Sequence, residues 1–169
     1  MKQIEYLKLQ PIIKLPSLTI IGCDGLVPIA VQFSILTNQG QYVRIGDFVH
    51  SLLELKFRSD DCSISELTLV AAKRPVEFPE ISVLKLIDAL PGLMPEDYGS
   101  LEVTELRADL QIAINSNEVV VFWQPLSALN VLRTSRVDFL LADNILVGVR
   151  IREVSKTDLG NLLHTLQGH

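Results

Sequence analysis

The hydrophobic pattern of the chain is clearest in residues 118–160, and we expect the fold to be organised around this stretch. Residues 118–123 (EVVVFW) are apolar at nearly every position, which is typical of an interior strand covered on both faces. Further along, Ser155 stands three residues before Asp158 and precedes leucines at helical spacing. A serine cap followed by an acid marks the start of a helix. The stretch therefore predicts a strand at its beginning and a helix at its end.

Between that strand and that helix, residues 137–151 predict a tight hairpin. Two apolar runs flank the dipeptide Asp143-Asn144. Both residue types tolerate the positive φ of a two-residue hairpin turn. Such a turn would place Phe139 opposite Gly148, where the missing side chain leaves room for the ring.

The first half of the chain is predicted to consist mainly of strands. Residues 29–36 and 41–45 are joined by TNQG, whose glycine suits the left-handed position of a four-residue hairpin loop. Apolar and charged residues alternate at 53–58, which is the period of a half-exposed strand. Residues 47–55 also match a helical face, so a helix is the alternative there. Residues 64–71 are predicted to form the returning strand.

Two further helices are predicted, each after a proline. Pro79 suits the first turn of a helix. The apolar face of that helix would comprise Ile81, Leu84, Ile87 and Leu90. Residues 127–132, which follow Pro125, predict a second and shorter helix. Residues 93–100 (LMPEDYGS) have the composition of a loop.

These elements predict the α+β class, with a mainly antiparallel sheet built from hairpins and two or three helices on one face. A doubly wound parallel fold is less favoured, because it needs a helix after nearly every strand. The chain has 169 residues, of which 48% are hydrophobic and 21% charged, and this composition is globular. We find no repeat or linker, so a single domain over residues 1–169 is expected.

The sequence lacks the motifs of the common catalytic and nucleotide-binding sites, such as GxSxG, GxGxxG and the phosphate loop. The histidines at positions 50, 164 and 169 have no ligand spacing with one another. Cys23 and Cys62 are too far apart for a CxxC pair, and we interpret them as small buried hydrophobes. A pair of acids from different strands stays open as a hydrolytic site. We nevertheless predict no catalytic residue, no metal site and no cofactor.

The apolar runs and the net charge bear on location and partners. The longest runs are far shorter than the ~20 residues of a membrane helix. The first residues, MKQIEYLKLQ, lack the apolar core of a secretory signal. A net charge of −5 disfavours nucleic acid, which needs clustered basic residues. We expect a cytoplasmic protein that binds neither membranes nor nucleic acid. The sequence leaves its oligomeric state open.

Four arginines gather around the predicted final hairpin. They are Arg133, Arg136, Arg150 and Arg152. One interpretation is an anion site, because guanidinium groups suit bidentate anions. The interpretation that we favour is edge protection and ion pairs with Asp138 or Glu153. Trp123, the single tryptophan, is expected in the core. A ligand or interface role for Trp123 requires its strand to end at the surface.

The excess of acidic residues lies in the middle third of the chain. Residues 59–109 hold eleven acidic and four basic residues. Such a surface is either a solvated face or a docking face that accelerates encounter with a basic protein. Apolar and aromatic residues within an acidic rim would anchor that protein. The predicted partner-binding residues are Asp60, Asp61, Glu77, Phe78, Glu80, Met94, Glu96, Asp97 and Tyr98.

We therefore expect a non-enzymatic intracellular protein-binding module. Its most concrete form is an acidic immunity-type inhibitor that neutralises a basic toxin, such as a nuclease, by occluding its active site. The alternatives are a small-molecule-binding protein or enzyme with a pocket on the sheet, and a subunit of a larger assembly. A concave cavity lined by convergent polar groups would favour the small-molecule alternative.

Overall fold

The structure is a computed structural model that describes residues 2–14, 20–24, 26–34, 39–94 and 103–167. Within these ranges the chain forms fifteen strands and one helix. The predicted α+β class with two or three helices is therefore wrong, because the described chain is mostly β.

The strands are numbered in chain order. They are β1 (Lys2–Ile4), β2 (Leu9–Ile12), β3 (Ile20–Gly22), β4 (Ile29–Gln32), β5 (Gly40–Gly46), β6 (Leu52–Arg58), β7 (Ile64–Ala71), β8 (Val83–Asp88), β9 (Leu90–Leu93), β10 (Thr104–Arg107), β11 (Gln111–Ile114), β12 (Val119–Phe122), β13 (Leu129–Thr134), β14 (Val137–Ala142) and β15 (Ile145–Ile151). The helix is α1 (Lys156–Gln167).

The strands form three sheets. Sheet A has seven strands in the order β1-β10-β5-β6-β7-β4-β3, and sheet B has six in the order β11-β12-β15-β14-β13-β8. Sheet C pairs β2 with β9. Most neighbours run antiparallel, as the sequence predicts, but β1–β10, β10–β5 and β13–β8 are parallel pairs.

Sheets A and B face each other across one main core, whose buried side chains run from Leu7 to Leu166 along the chain. Phe33, which follows β4 in sheet A, meets Phe139 of β14 in sheet B with 5.8 Å between the ring centroids. Both rings are fully buried. Burial of apolar surface on this scale is the main term that stabilises the fold.

The C-terminal helix is confirmed. The Ser155 hydroxyl accepts a hydrogen bond from the Asp158 N–H at 3.1 Å, as an N-cap residue does. Leu159, Leu162 and Leu166 of α1 pack into the main core. In the part of the chain that the structure describes, no helix has the length and apolar character needed to cross a membrane.

The predicted hairpin between β14 and β15 is confirmed, but its register differs. Asp143 has the positive φ of 60° that the turn requires. A bulge follows two pairs beyond the turn, so Leu140 lies opposite Gly148 and Phe139 lies opposite Val149. The predicted Phe139–Gly148 pair is therefore wrong by one residue, because a bulge shifts the strand.

The two predicted helices in the second half are wrong for a shared reason. Residues 83–88 and 129–134 are the strands β8 and β13, which pair with each other in parallel. Strand pairing, of β8 with the distant β13 and of β13 with the neighbouring β14, overrides the local signals for a helix. The position before Pro79 is Phe78, which cannot cap a helix through its side chain.

The predicted hairpin of residues 29–45 is also wrong. β4 pairs with β3 and β7, whereas β5 pairs with β6 and β10. Residues 37 and 38 of the predicted loop lie outside the described residues. The strands predicted at 53–58 and 64–71 are confirmed as β6 and β7, so the helical alternative for 47–55 is wrong.

Candidate partner-binding surface

The strand β8 carries an unusual run of exposed apolar side chains. Val83, Leu84 and Leu86 are 42%, 73% and 41% exposed. β8 is the last strand of sheet B, and among the described residues it pairs with β13 alone. Such an edge presents unpaired backbone N–H and C=O groups that another chain can use. The apolar side chains and the free edge therefore coincide.

The segment before β8 holds the strand in place. The Val76 N–H donates to the Ile112 carbonyl oxygen at 2.8 Å. Phe78 and Ile81 pack on a second apolar cluster, which lies on the face of sheet B turned away from the main core. The Ser82 N–H then donates to the Leu126 carbonyl oxygen at 3.0 Å. Because these contacts fix the segment along its length, they also fix the position of β8 at the edge of sheet B.

A bulge aims Leu84 at solvent. Val83 lies opposite Leu129 and Lys85 lies opposite Asn130, so Leu84 has no residue opposite it. A bulge of this kind redirects a side chain and bends the strand. Lys85 in the middle of β8 and the bulge itself are features that keep sheet edges from pairing indiscriminately. β8 therefore has one side free for pairing among the described strands, while Lys85 and the bulge limit which strands can pair there.

Carboxylates border this strand. Glu77 and Glu80 are exposed and precede β8, and Asp88 ends it. No ion pair with a described residue engages Glu77 or Glu80. Asp88 lies opposite Arg133 of β13. The pKa of Arg133 is raised mainly by its hydrogen bond to Asp138 and, to a smaller extent, by the charge of Asp88. The two glutamates are therefore the uncompensated negative charges beside the apolar strand.

The predicted contact residues Asp60 and Asp61 lie elsewhere, in the turn between β6 and β7. Arg58 binds Asp60 through two hydrogen bonds, Nε to Oδ1 at 2.8 Å and Nη2 to Oδ2 at 2.6 Å. The hydrogen bond from Arg58 lowers the pKa of Asp60 to about 2. Lys14 Nζ reaches Asp61 Oδ2 at 2.7 Å. Both carboxylates are already neutralised by basic neighbours.

Of the other predicted contact residues, the structure describes Met94 and Phe78. Met94 follows β9, whose Leu93 N–H donates to the Cys62 carbonyl oxygen at 3.1 Å, so Met94 lies near the β6–β7 turn. Phe78 is half-buried against the second apolar cluster rather than displayed as an anchor. Glu96, Asp97 and Tyr98 lie outside the described residues.

The arginine cluster has a structural role, because its guanidinium groups surround a buried carboxylate. Asp138 of β14 is fully buried and accepts hydrogen bonds from Arg133 Nε at 2.8 Å and Arg150 Nη2 at 2.8 Å. Burial opposes its ionisation, yet these hydrogen bonds and the charge of Arg152 hold the pKa of Asp138 below its usual value. Of the favoured interpretation, the ion pairs with Asp138 are confirmed, whereas edge protection is wrong, because β13, β14 and β15 are interior strands of sheet B. Arg136 bonds the backbone carbonyl of Glu153 rather than its carboxylate.

The thiol of Cys23 is poorly suited to nucleophilic chemistry. Burial, together with the charges of Asp158 and Asp24, raises its pKa to about 11, whereas reactive cysteines have lowered values. Among the described residues, no three His, Cys, Asp or Glu side chains come together in the manner of a metal site.

The sequence pattern predicts Glu77 and Glu80 as contact residues, but it predicts a helix where the structure has β8. The β-branched residues Val83 and Ile87 were the signal for a strand. No protein-family model matches this chain, and no curated protein matches it in sequence. We therefore infer its function from geometry.

Proposed function

We propose that this protein is a non-enzymatic binding module that receives a basic partner protein at β8. The observation that carries the proposal is the exposed apolar edge strand Val83–Asp88, preceded by Glu77 and Glu80, whose carboxylates form no ion pair with a described residue. An extended segment of the partner would add to sheet B as a further strand. In this binding mode, main-chain hydrogen bonds supply affinity and side-chain contacts supply specificity.

The apolar side chains supply the anchor of this contact. Covering Val83, Leu84 and Leu86 removes exposed apolar surface from water, and full burial of one such side chain contributes roughly 1.5–3 kcal/mol. Lys85 selects against a partner strand with a basic residue opposite it, because like charges across a strand pair are destabilising.

The glutamates supply the preference for a basic partner. Exposed charges mainly raise the association rate, and salt screens their effect. Asp60 and Asp61 contribute less in this proposal, because Arg58 and Lys14 already neutralise them. We therefore place the contact at residues 77–88.

The most concrete form of the proposal is an acidic immunity-type inhibitor that acts in the cytoplasm against a basic toxin such as a nuclease. The net charge of −5 supports this form, because negative charge is what a cationic active site attracts. Docking at β8 would bring Glu77 and Glu80 against the basic groups of the toxin and occlude its active site.

Co-purification from the native cell tests the proposal. The tagged protein is compared with Leu84→Ser and with the double variant Glu77→Lys/Glu80→Lys. Val49→Ser is a control for the loss of an exposed apolar side chain, because Val49 is 76% exposed between β5 and β6, away from β8. Glu153→Lys is a control for charge reversal. We expect a basic protein in one-to-one ratio with the wild type and both controls. Leu84→Ser should lose most of it, and the double variant should lose the dependence of binding on salt.

A basic partner that stays bound equally to all five proteins would contradict the β8 surface. A bound partner of acidic character would contradict the role of the glutamates.

A further inference from the structure

A cavity with a volume of about 830 Å³ opens between the β10 end of sheet A and the end of sheet B where β12 stops and the β14–β15 hairpin turns. Leu106, Leu146 and Val147 form part of its apolar wall. Small-molecule sites typically have volumes of roughly 300–1,000 Å³ with a mostly apolar lining. No residue of β8 lines this cavity, so it is separate from the proposed partner-binding surface.

Trp123 lies in the wall of this cavity. β12 ends at Phe122, and the Trp123 backbone N–H donates to the Val147 carbonyl oxygen at 3.0 Å, which fixes the backbone. The Trp123 ring is half-buried, packed in part against the main core. The condition for a ligand role of Trp123, a strand that ends at the surface, is therefore met. An aromatic ring of a ligand can pack on it in a stacked or edge-to-face contact.

Two opposite charges of the lining are neighbours. In the parallel pair of β1 and β10, Ile4 lies opposite Leu106, and Glu5 and Arg107 directly follow these two residues. Paired strands lie roughly 4.8 Å apart, so Glu5 and Arg107 extend side by side from the ends of adjacent strands. Both are exposed and both line the cavity. Neither forms an ion pair or a hydrogen bond with a described residue.

The loop between β5 and β6 positions the Arg107 guanidinium. This group lies over the Phe48 ring, 5.5 Å from the ring centroid, where the face of the ring attracts a cation. The loop that carries Phe48 is itself fixed, because the Asp47 carboxylate accepts hydrogen bonds from the backbone N–H groups of His50 at 2.7 Å and Ser51 at 2.8 Å. The ring contact therefore holds Arg107 in place without neutralising its charge.

The other charged groups close to Glu5 and Arg107 have partners of opposite sign. Arg44, the second guanidinium over the same ring, lies 3.3 Å from Glu54 and 3.6 Å from Glu105. Asp109, which also lines the cavity, forms an ion pair with Lys73.

Lys8 is the exception, because its ammonium group lies over the Tyr6 ring at 5.5 Å and forms no ion pair with a described residue. Lys8 is beside the cavity but is not part of its lining. The lining itself therefore has two unmatched charges, the negative charge of Glu5 and the positive charge of Arg107. A ligand that carries one charge of each sign fits this arrangement better than an amine or an acid does.

We infer that this cavity binds a free α-amino acid with an aromatic side chain. The ammonium group of the ligand lies toward Glu5, and its carboxylate lies toward Arg107, whose guanidinium suits a carboxylate. An α-amino acid carries both charged groups on one carbon atom, which matches two side chains that extend from adjacent strands. The aromatic side chain packs on Trp123 against the apolar wall.

The single tryptophan makes the test specific. A ¹⁵N-labelled protein gives one indole N–H signal in a proton–nitrogen correlation spectrum, and that signal reports Trp123. The probes are L-phenylalanine, phenethylamine, which lacks the carboxylate, and 3-phenylpropionate, which lacks the ammonium group. We expect millimolar phenylalanine to shift the signal saturably. Each of the other two probes should bind about fivefold more weakly, as expected when one exposed charge contact is lost.

Two charge variants assign the contacts. In Glu5→Gln, phenylalanine should bind no better than 3-phenylpropionate, but it should still bind better than phenethylamine. In Arg107→Gln, phenylalanine should bind no better than phenethylamine, but it should still bind better than 3-phenylpropionate. Both residues are exposed, so neither substitution removes a buried contact. If Arg107→Gln does not fold, the Glu5→Gln comparison decides.

Lys8→Gln and Leu84→Ser are the controls. Lys8 is a charge beside the cavity and outside its lining, so Lys8→Gln should keep both preferences of the wild type. Leu84→Ser on β8 should bind phenylalanine as the wild type does. Because the same variant is expected to lose the basic partner protein, a failure of this inference and a failure of the proposed function are distinguishable.

The inference is overturned if phenylalanine leaves the indole signal unmoved. It is also overturned if either analogue binds the wild type as tightly as phenylalanine, or if Glu5→Gln keeps the preference for phenylalanine over 3-phenylpropionate. Loss of the preference over phenethylamine in Lys8→Gln would place the carboxylate at Lys8 rather than at Arg107 and overturn it as well.

Discussion

Phe122 of β12 and Gly148 of β15 lie opposite each other, and the missing side chain of the glycine makes room for the phenylalanine. A Cβ atom at Gly148 would lie 3.0 Å from the Phe122 Cβ and 2.8 Å from the Val121 carbonyl oxygen. The second distance is shorter than a van der Waals contact, and the oxygen belongs to the backbone. The close approach of β12 and β15 therefore depends on the glycine.

We predict that Gly148→Ala destabilises the protein by about 1–3 kcal/mol, the usual cost of overpacking. Urea denaturation measures the change. Gly160→Ala is the matched control, because a Cβ at Gly160 of α1 has no atom within 4 Å. Alanine favours a helix, so this control should gain about 0.5–1 kcal/mol. Equal effects of the two substitutions would contradict the close approach.

The buried ion pairs of Asp138 give a second prediction. Asp138→Asn removes the negative charge that three guanidinium groups share, and breaking a buried pair costs roughly 3–5 kcal/mol. Chemical denaturation of the variant checks this. Asp143→Asn, in an exposed turn where asparagine tolerates positive φ, should stay within about 0.5 kcal/mol of the wild type. A loss at Asp138 no larger than at Asp143 would refute the prediction.

The same carboxylate predicts a pH dependence. Burial disfavours its charge, but the arginines outweigh burial and depress its pKa in the folded state below the ordinary value of 3.8. Its contribution to stability is therefore full above that value and is lost as the pH falls through the folded pKa. Stability measured from pH 6 down to acid should fall less steeply in Asp138→Asn than in the wild type. Parallel curves would count against a depressed pKa.

We predict that Cys23 does not react in the native protein. With a pKa of about 11, its thiolate is a very small fraction of the thiol at pH 8, and the thiolate is the nucleophile. In Cys62→Ser, iodoacetamide should leave the folded protein unlabelled and label it fully in urea. Cys23→Ser gives the reference rate for Cys62. Fast labelling of native Cys62→Ser would show an accessible Cys23.

Lys85 gives the last prediction. A charged residue in the middle of an edge strand limits pairing between copies, so Lys85→Val should promote concentration-dependent association without loss of stability. Light scattering over a range of concentrations detects it. Lys156→Val on the exposed start of α1 is the control. If both variants scatter light as the wild type does at every concentration, Lys85 does not limit pairing of the edge strand.

Local signals in the sequence predict the parts of the fold that local chemistry decides. The Ser155 cap, the Asp143 turn and the burial of residues 119–121 follow from neighbours in the chain. β8 does not, because its partner β13 lies far from it in the chain, although β13 itself also pairs with its neighbour β14. The separation of β8 from β13 in sequence hides that relationship.

The candidate surface is predictable to a similar degree. The composition predicts Glu77 and Glu80 as acidic residues of a docking face, and in the structure they precede β8. The ion pair between Lys14 and Asp61 joins distant parts of the chain, so no local pattern indicates that Asp61 is already neutralised. The tertiary fold decides which acidic side chains find a basic partner and which do not.

The span of the main core has a consequence for biosynthesis. Its buried side chains extend from Leu7 near the first residue to Leu166 in α1, and α1 is tied to the end of β3 by the Asn161 amide, which donates to the Cys23 carbonyl oxygen at 3.2 Å. A chain whose synthesis has not yet reached α1 lacks the surfaces that close this core. Folding should therefore be completed only once α1 is available, and slowly for a chain of this size, since distant segments must meet before their contacts stabilise them.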